Sequence, residues 1–177
     1  MVCTCKYHSP IGDIFLAADE IGLTGLWFEG QKYFANTLPG EHISQETEIL
    51  TEAKKWLDVY FSGEEPEFTP PLHPAGSPFR QAVWQILLQI PYGKTITYGE
   101  IADKIAEIKN TYRMSAQAVG GAVGHNEISI IIPCHRVVGT NGSLTGYAGG
   151  IDKKISLLEL EHVDMSYLFV PKKGTAL

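Results

Sequence analysis

The chain has 177 residues and 44% of them are hydrophobic, which is enough to build the core of one large domain or two small ones. Its formal net charge of -6 is unlike that of a strongly basic nucleic-acid-binding protein. No apolar run approaches the ~20 residues that span a bilayer, and the N-terminus lacks the apolar stretch of a secretory signal, so we expect a soluble cytoplasmic protein.

The three cysteines, Cys3, Cys5 and Cys134, form an odd and sparse set. Such a set argues against a disulfide framework and for a reducing compartment, in which a thiol persists.

The charge differs between the two halves of the chain. Residues 1–78 carry 4 Lys/Arg and 12 Asp/Glu, a net charge of -8, whereas residues 79–177 carry 10 Lys/Arg and 8 Asp/Glu, a net charge of +2. The second half can therefore approach phosphates while the first half is repelled by them. This distribution permits DNA binding without establishing it.

The N-terminal third has the pattern of a small α/β domain. Short β-branched and aromatic runs predict strands over residues 4–8, 14–18 and 23–28, with turn-like sequences between them. Apolar side chains at helical spacing predict a helix over about residues 45–61.

Residues 63–78 are rich in proline and acidic side chains, which predicts an extended linker. We therefore divide the chain into an N-terminal domain (1–65), the linker (66–78), a C-terminal domain (79–165) and a tail (166–177).

The C-terminal domain is predicted to be mainly helical. Ser77 followed by Pro78 indicates an N-cap and a first helical residue, for a helix that reaches about residue 89. Thr97 and Glu100 fit a capping box that opens a helix to about residue 107. Further helices are predicted over residues 115–124 and 152–161, with a turn at 141–142 between two extended pieces.

The helices at 97–107 and 115–124, joined by a short connection, have the order of a helix-turn-helix, although most such pairs are only packing units. The second helix is rich in alanine and glycine. Each glycine within a helix lowers helix stability by about 1 kcal/mol relative to alanine. A sequence that tolerates this loss indicates that the helix backbone lies close to another surface. Tight packing against another helix and entry into a narrow DNA groove both fit.

The hexapeptide Ile132-Pro133-Cys134-His135-Arg136-Val137 carries the chemistry. An imidazole can activate a thiol by taking its proton, although a lone cysteine is more often a small buried hydrophobe. If the hexapeptide is extended, neighbouring side chains point to opposite sides, and His135 would act on Cys134 through a water molecule.

A base of this kind needs a group that orients it. Glu161 and Asn126 are candidates, but a solvated carboxylate at a helix end and a turn residue are their ordinary interpretations.

From residue 79 to residue 161 the chain resembles the catalytic domain of the O6-alkylguanine-DNA alkyltransferases without obvious gaps. The N-terminal part is similar to the family's smaller domain only in its strand-then-helix order and in the turn at residues 9–12. The matching pieces are Phe79-Arg80-Gln81-Ala82-Val83-Trp84, Ile96-Thr97-Tyr98, Ala118-Val119-Gly120-Gly121-Ala122, Asn126, the hexapeptide at 132–137, and Gly146-Tyr147-Ala148-Gly149-Gly150.

This resemblance implies an α/β N-terminal domain of ribonuclease-H-like type and a mainly α C-terminal domain with a winged helix-turn-helix. It implies a monomer that binds double-stranded DNA in the minor groove and flips out O6-alkylguanine and O4-alkylthymine. The alkyl group then passes irreversibly to Cys134, once per molecule and with no cofactor or metal.

The resemblance also assigns roles to individual residues. Cys134 would accept the alkyl group, His135 would deprotonate it through water, Glu161 would hold His135, and Asn126 would stabilise the turn before the hexapeptide. The substrate and DNA contacts would come from the Tyr98 hydroxyl, the carbonyls of Cys134 and Val137, the N–H groups of Tyr147 and Ala148, and, on the small-residue helix, Gln117, Ala118 and Gly121.

Two positions depart from the family pattern. Gln117 stands where many members carry an arginine that fills the gap left by the extruded base. Glu127 follows Asn126 where proline is common.

Three other hypotheses remain at this point. A non-enzymatic protein of the same fold would bind alkylated DNA and recruit repair factors, but such proteins lack the acceptor cysteine. A cysteine hydrolase would need a distant histidine, an Asn/Asp partner and an oxyanion hole. Cys3, Cys5 and His8, with His73, suggest a zinc site, but the C-x-C spacing is tighter than tetrahedral zinc favours.

Overall fold

The computed structural model describes residues 1–110 and 114–172. The chain forms two compact units. The N-terminal unit comprises Met1–Ala75 together with Glu127–Ile131, and the C-terminal unit comprises Gly76–Asn126 and Ile132–Leu177. Within the described residues, no helix has the length and apolar character needed to span a bilayer.

The N-terminal unit is a four-stranded sheet covered by one helix. The strands have the order β3-β2-β1-β4, and β1 pairs antiparallel with β2 but parallel with β4. The bounds are β1 Cys3–Ser9, β2 Gly12–Ala18, β3 Leu23–Phe28, β4 Ile43–Ser44 and α1 Glu48–Phe61. The three predicted strands and the helix are confirmed, whereas β4 was not predicted because two exposed residues carry no period-two pattern.

Helix α1 begins at the N-cap Thr47, whose side chain accepts a hydrogen bond from Leu50 N. Its apolar face packs on the sheet through five buried side chains, Leu50, Ala53, Trp56, Leu57 and Tyr60.

Two segments from outside the sheet also pair with β3. His73 N donates to Leu23 O at 2.7 Å, and Leu23 N donates to Pro71 O at 2.7 Å. Leu26 N donates to Glu127 O at 2.9 Å, and Ser129 N donates to Leu26 O at 3.0 Å. These bonds satisfy backbone groups of β3 that an edge strand leaves open.

The C-terminal unit contains four helices and a two-stranded parallel sheet in its described part. The bounds are α2 Pro78–Leu87, β5 Ile96–Thr97, α3 Tyr98–Ile108, α4 Ala116–Gly124, β6 Val137–Val138 and α5 Ile151–Leu160. The expected caps are confirmed, because Ser77 accepts from Arg80 N and Thr97 forms a complete capping box with Glu100. Of the expected connection between α3 and α4, residues 111–113 lie outside the described residues, as do residues 173–177 of the tail.

Helix α4 uses its small residues on two sides. Val119, Gly120, Ala122 and Val123 are buried, and Trp84 Nε1 of α2 donates to Ala122 O at 2.9 Å. The first turn, Ala116, Gln117 and Ala118, is exposed, and Gly121 on the side away from Val119 and Val123 is half-buried. One side therefore packs tightly, as the glycine content predicts, while the other side is open.

Candidate active site around Cys134

The backbone at the hexapeptide is a 3-10 helix, Cys134–Arg136, so the expectation of an extended conformation is wrong. Cys134 N donates to Ile132 O at 2.8 Å, and Arg136 N donates to Pro133 O at 3.0 Å. A strand needs partners along its length, but the carbonyl of Ile132 is taken by Cys134 N and by the side chain of Asn126. These local hydrogen bonds satisfy backbone groups that would pair with a neighbouring strand in a sheet, and the chain turns at this point.

The Cys134 sulfur is buried among polar groups rather than among aliphatic ones alone. Cys134 is 5% exposed, and Asn126 Nδ2 donates to its Sγ at 3.1 Å and to Ile132 O at 2.8 Å. Burial raises the pKa of the Cys134 thiol, although the Asn126 hydrogen bond and the positive charge of Lys154 oppose the rise. The resting group is therefore a thiol at neutral pH, and its reaction requires a base.

His135 and Glu161 form the expected imidazole–carboxylate pair, in which His135 Nε2 and Glu161 Oε2 lie 2.5 Å apart. Burial lowers the pKa of His135, and the carboxylate does not fully compensate, so the imidazole is neutral at neutral pH. An ionised carboxylate only accepts hydrogen bonds, so the proton lies on Nε2 and the lone pair lies on Nδ1. His135 can therefore accept a proton at Nδ1.

Glu161 also binds Arg136, a contact that the sequence interpretation did not include. Arg136 Nε donates to Glu161 Oε1 at 2.8 Å, Gly93 N donates to the same oxygen at 3.1 Å, and Arg136 Nη1 donates to Ile90 O at 2.7 Å. Burial alone would raise the pKa of Glu161, but the hydrogen bonds from His135 and Arg136 outweigh it and hold the pKa well below its usual range. Arg136 thus keeps the carboxylate ionised and fixed.

Lys154 is the second residue that the sequence interpretation missed. Its side chain is fully buried, and Nζ donates to Val137 O at 2.5 Å and to Thr145 O at 2.8 Å. Burial lowers the pKa of Lys154 to about 8. Its spacing from the buried residues Leu157 and Leu158 is helical, and this was the available signal that Lys154 faces the core.

The expected substrate-binding residues come from several elements of this unit. Tyr98 begins α3, its hydroxyl donates to Thr145 O at 3.3 Å, and burial raises its pKa to about 12. Thr145 O therefore receives hydrogen bonds from both Tyr98 and Lys154. Tyr147 is buried and Ala148 half-buried in the segment that follows.

On α4, Gln117 and Ala118 are exposed and Gly121 is half-buried. A Cβ added at Gly121 would meet nothing within 4 Å. These three positions therefore present an open, low-relief surface rather than a packing contact.

In the described residues, Cys3 and Cys5 do not form a metal-binding cluster with His8 and His73. Cys3 is buried, Cys5 is half-buried, His8 pairs with Asp13 at 2.7 Å, and His73 pairs with Asp19 at 2.6 Å. Residues 1–110 and 114–172 contain no group of three or more His, Cys, Asp or Glu side chains that could hold a metal ion.

Comparison with known proteins assigns the family. Residues 2–74 match the family model described as "6-O-methylguanine DNA methyltransferase, ribonuclease-like domain", and residues 78–163 match "6-O-methylguanine DNA methyltransferase, DNA binding domain". The chain belongs to the 6-O-methylguanine DNA methyltransferase family. Its two-domain architecture, with a ribonuclease-like N-terminal domain and a helical DNA-binding domain, is that of the family.

Individual family members are similar over most of the chain. A methylated-DNA--protein-cysteine methyltransferase from Methanosarcina acetivorans is 47% identical over 88% of this chain and 95% of its own length. A crystal structure of Mycobacterium tuberculosis OGT in complex with DNA superposes with a TM-score of 0.80 at 44% identity, covering 90% of this chain and 93% of that one. An O6-methylguanine DNA methyltransferase from Methanococcus jannaschii gives a TM-score of 0.63 at 33% identity, covering 96% and 99%.

Proposed function

We propose that this protein repairs DNA by transferring the alkyl group of O6-alkylguanine to its own Cys134. The observation that carries the proposal is a buried thiol hydrogen-bonded by Asn126, in the same unit as a neutral His135 that an ionised Glu161 holds. A family member similar over 88% of the chain is named a methylated-DNA--protein-cysteine methyltransferase, which supports the same chemistry here.

The first step is removal of the thiol proton. His135 accepts it at Nδ1 through a water molecule, and the Glu161 carboxylate stabilises the imidazolium that forms. The sulfur then attacks the alkyl carbon, an S–C bond forms, and the C–O6 bond breaks with its electron pair passing to the purine. The thiol proton finally returns to the guanine, so the products are guanine and a thioether.

The site around Cys134 recognises the flipped base mainly through backbone groups. The carbonyls of Cys134 and Val137 accept from the exocyclic amine, and the N–H groups of Tyr147 and Ala148 face O6. Tyr98 remains protonated at neutral pH because its pKa is about 12, so its hydroxyl can exchange its hydrogen bond to Thr145 O for one to the guanine ring. We propose that O4-alkylthymine is also accepted, since backbone contacts tolerate a smaller base.

The exposed side of α4 enters the minor groove. Gln117, Ala118 and Gly121 present short side chains there, and the minor groove carries little sequence information. This mode of binding suits a repair protein, which acts at any sequence. Extrusion of the base costs a few kcal/mol, and a damaged pair lowers that cost.

The finer architecture is part of the proposal. The helices α3 and α4 form a helix-turn-helix, with the β5–β6 sheet and the turn closed by Gly139 N to Ser143 O at 2.9 Å as its wing. The antiparallel strands, the parallel β4 and α1 support a ribonuclease-H-like N-terminal domain. We propose the boundaries 1–65, 66–78, 79–165 and 166–177, and a monomer that acts in the cytoplasm.

The decisive experiment is mass spectrometry of the protein mixed with a short duplex that carries O6-methylguanine. We expect a gain of one methyl group on Cys134 and none in Cys134→Ser. The thioether is a poor leaving group, so one molecule accepts one group and no cofactor is required. Sustained turnover, or methylation of the serine variant, would contradict the proposal.

The same experiment separates the other hypotheses. A non-enzymatic alkylated-DNA-binding protein would bind the duplex but leave Cys134 unmodified. A cysteine hydrolase would cleave a chromogenic ester repeatedly and would not retain the alkyl group.

A further inference from the structure

The carboxylate of Glu127 is buried in the N-terminal unit, where the side chains of Trp27 and Thr37 donate to it. Glu127 is 2% exposed, and its Oε2 accepts from Trp27 Nε1 at 3.0 Å and from Thr37 Oγ1 at 3.2 Å. Trp27 lies on β3 and is 1% exposed. A carboxylate placed this deeply is costly unless its hydrogen bonds are made, so this arrangement restrains Glu127 closely.

The backbone on either side of this carboxylate is restrained as well. Glu127 O accepts from Leu26 N at 2.9 Å, and Ser129 N donates to Leu26 O at 3.0 Å, so Ile128 bridges to Leu26 as a short extension of the sheet. The side chain of Glu127 and the two backbone hydrogen bonds to Leu26 thus restrain residues 127–129.

These residues belong to a loop whose two ends carry the active site. Asn126 precedes Glu127 by one peptide bond, and its Nδ2 closes the loop on Ile132 O and donates to Cys134 Sγ. Between the ends, Ile130 has φ +71, a conformation that a β-branched residue adopts only under restraint. The loop is therefore strained, and its shape depends on what holds it.

We propose that Glu127 is a positioning residue for alkyl transfer, because it fixes the start of the 126–132 loop and thereby holds the Asn126 amide against the sulfur of Cys134. The inference rests on the proposed role of Cys134 as the acceptor. The hydrogen bonds of Glu127 to Trp27 and Thr37 supply this restraint.

The test measures the reactivity of the Cys134 thiol rather than the stability of the protein. The rate of Cys134 carboxamidomethylation by iodoacetamide is measured against pH by peptide-resolved mass spectrometry, which separates Cys134 from Cys3 and Cys5. Loss of the Asn126 hydrogen bond raises the thiol pKa, and one unit corresponds to about tenfold slower alkylation at a fixed pH below it. We expect Glu127→Ala to raise the apparent pKa of Cys134 by about one unit.

Matched variants separate positioning from stability. Glu127→Gln keeps an acceptor oxygen for Trp27 and Thr37 and is expected to restore the wild-type profile. Leu57→Ala destabilises the same unit from the core face of α1 and is expected to leave the thiol pKa unchanged. The groups that act on Cys134 are identical in all of these variants: Asn126, His135, Lys154 and Tyr98.

If Glu127→Ala does not fold, Thr37→Val and Trp27→Phe each remove one donor, and each is expected to give a smaller shift in the same direction. An unchanged pKa in the folded variants would overturn the proposal, as would an equal shift in Leu57→Ala or a failure of Glu127→Gln to restore the profile. Alkylation of Cys134 by iodoacetamide does not require DNA. A wild-type protein that fails to accept a methyl group from duplex DNA would therefore refute the proposed function and leave this test intact.

Discussion

The buried ammonium of Lys154 makes a measurable prediction about stability. Burial lowers its pKa from 10.5 to about 8, so the folded state binds this proton less tightly than the unfolded state does. The buried ammonium therefore destabilises the folded state. This destabilisation is absent above pH 10.5, grows as the pH falls, and is complete below the folded-state pKa of about 8. Integration of this linkage gives a change of about 2.5 kcal/mol in the free energy of unfolding between pH 7 and pH 10.

The perturbation is Lys154→Met, which removes the titration while filling a similar volume. It also removes the donors to Val137 O and Thr145 O, at a cost of about 1–3 kcal/mol that does not depend on pH. The pH dependence of the difference between the two proteins therefore isolates the ammonium. A Cys134→Ser background removes the thiol, which interacts with Lys154 and titrates in the same range.

The assay is urea unfolding at equilibrium at pH 7, 8, 9 and 10. We expect the parent protein to gain about 2.5 kcal/mol relative to Lys154→Met across this range. Lys153→Met, at the neighbouring half-buried position, is the control and should follow the parent curve. Parallel curves for the parent and Lys154→Met would show that the ammonium does not titrate in this range and would refute the reasoning.

Three further changes test other parts of the molecule. Gln117→Arg should tighten duplex binding in a titration at fixed salt and steepen its salt dependence, and unchanged or weaker affinity would remove Gln117 from the groove. Gly121→Ala should raise the free energy of unfolding by up to about 1 kcal/mol because the added Cβ meets nothing, yet weaken duplex binding; equal affinity would argue against groove entry. Glu161→Gln should lower the free energy of unfolding at pH 7 by about 3–5 kcal/mol by leaving Arg136 without its anion, while Glu159→Gln, exposed on the same helix, should change it by less than about 0.5 kcal/mol.

The sequence determined the elements whose signals lie within a few residues. Ser77 and Pro78 mark the start of α2, and Thr97 with Glu100 marks the start of α3, because a cap is formed between a side chain and a backbone N–H at most three positions away. The hexapeptide likewise indicated Cys134 as the candidate nucleophile and His135 as its candidate base.

The tertiary structure decided the features that depend on distant partners. Cys134 lies in a 3-10 helix because Asn126 and Cys134 N take the carbonyl that a strand would have used. Glu127 meets Trp27 across 100 positions of sequence, and Lys154 meets Val137 across 17.

The physical reason is that burial changes the chemistry of these groups after the chain has folded. A carboxylate or an ammonium gives the same local signal in solvent as in a core, because its pKa and its hydrogen bonds depend on neighbours that are remote in sequence. The order of residues therefore indicated the sulfur of Cys134 as the candidate nucleophile, while packing determined its burial and its hydrogen bond from Asn126.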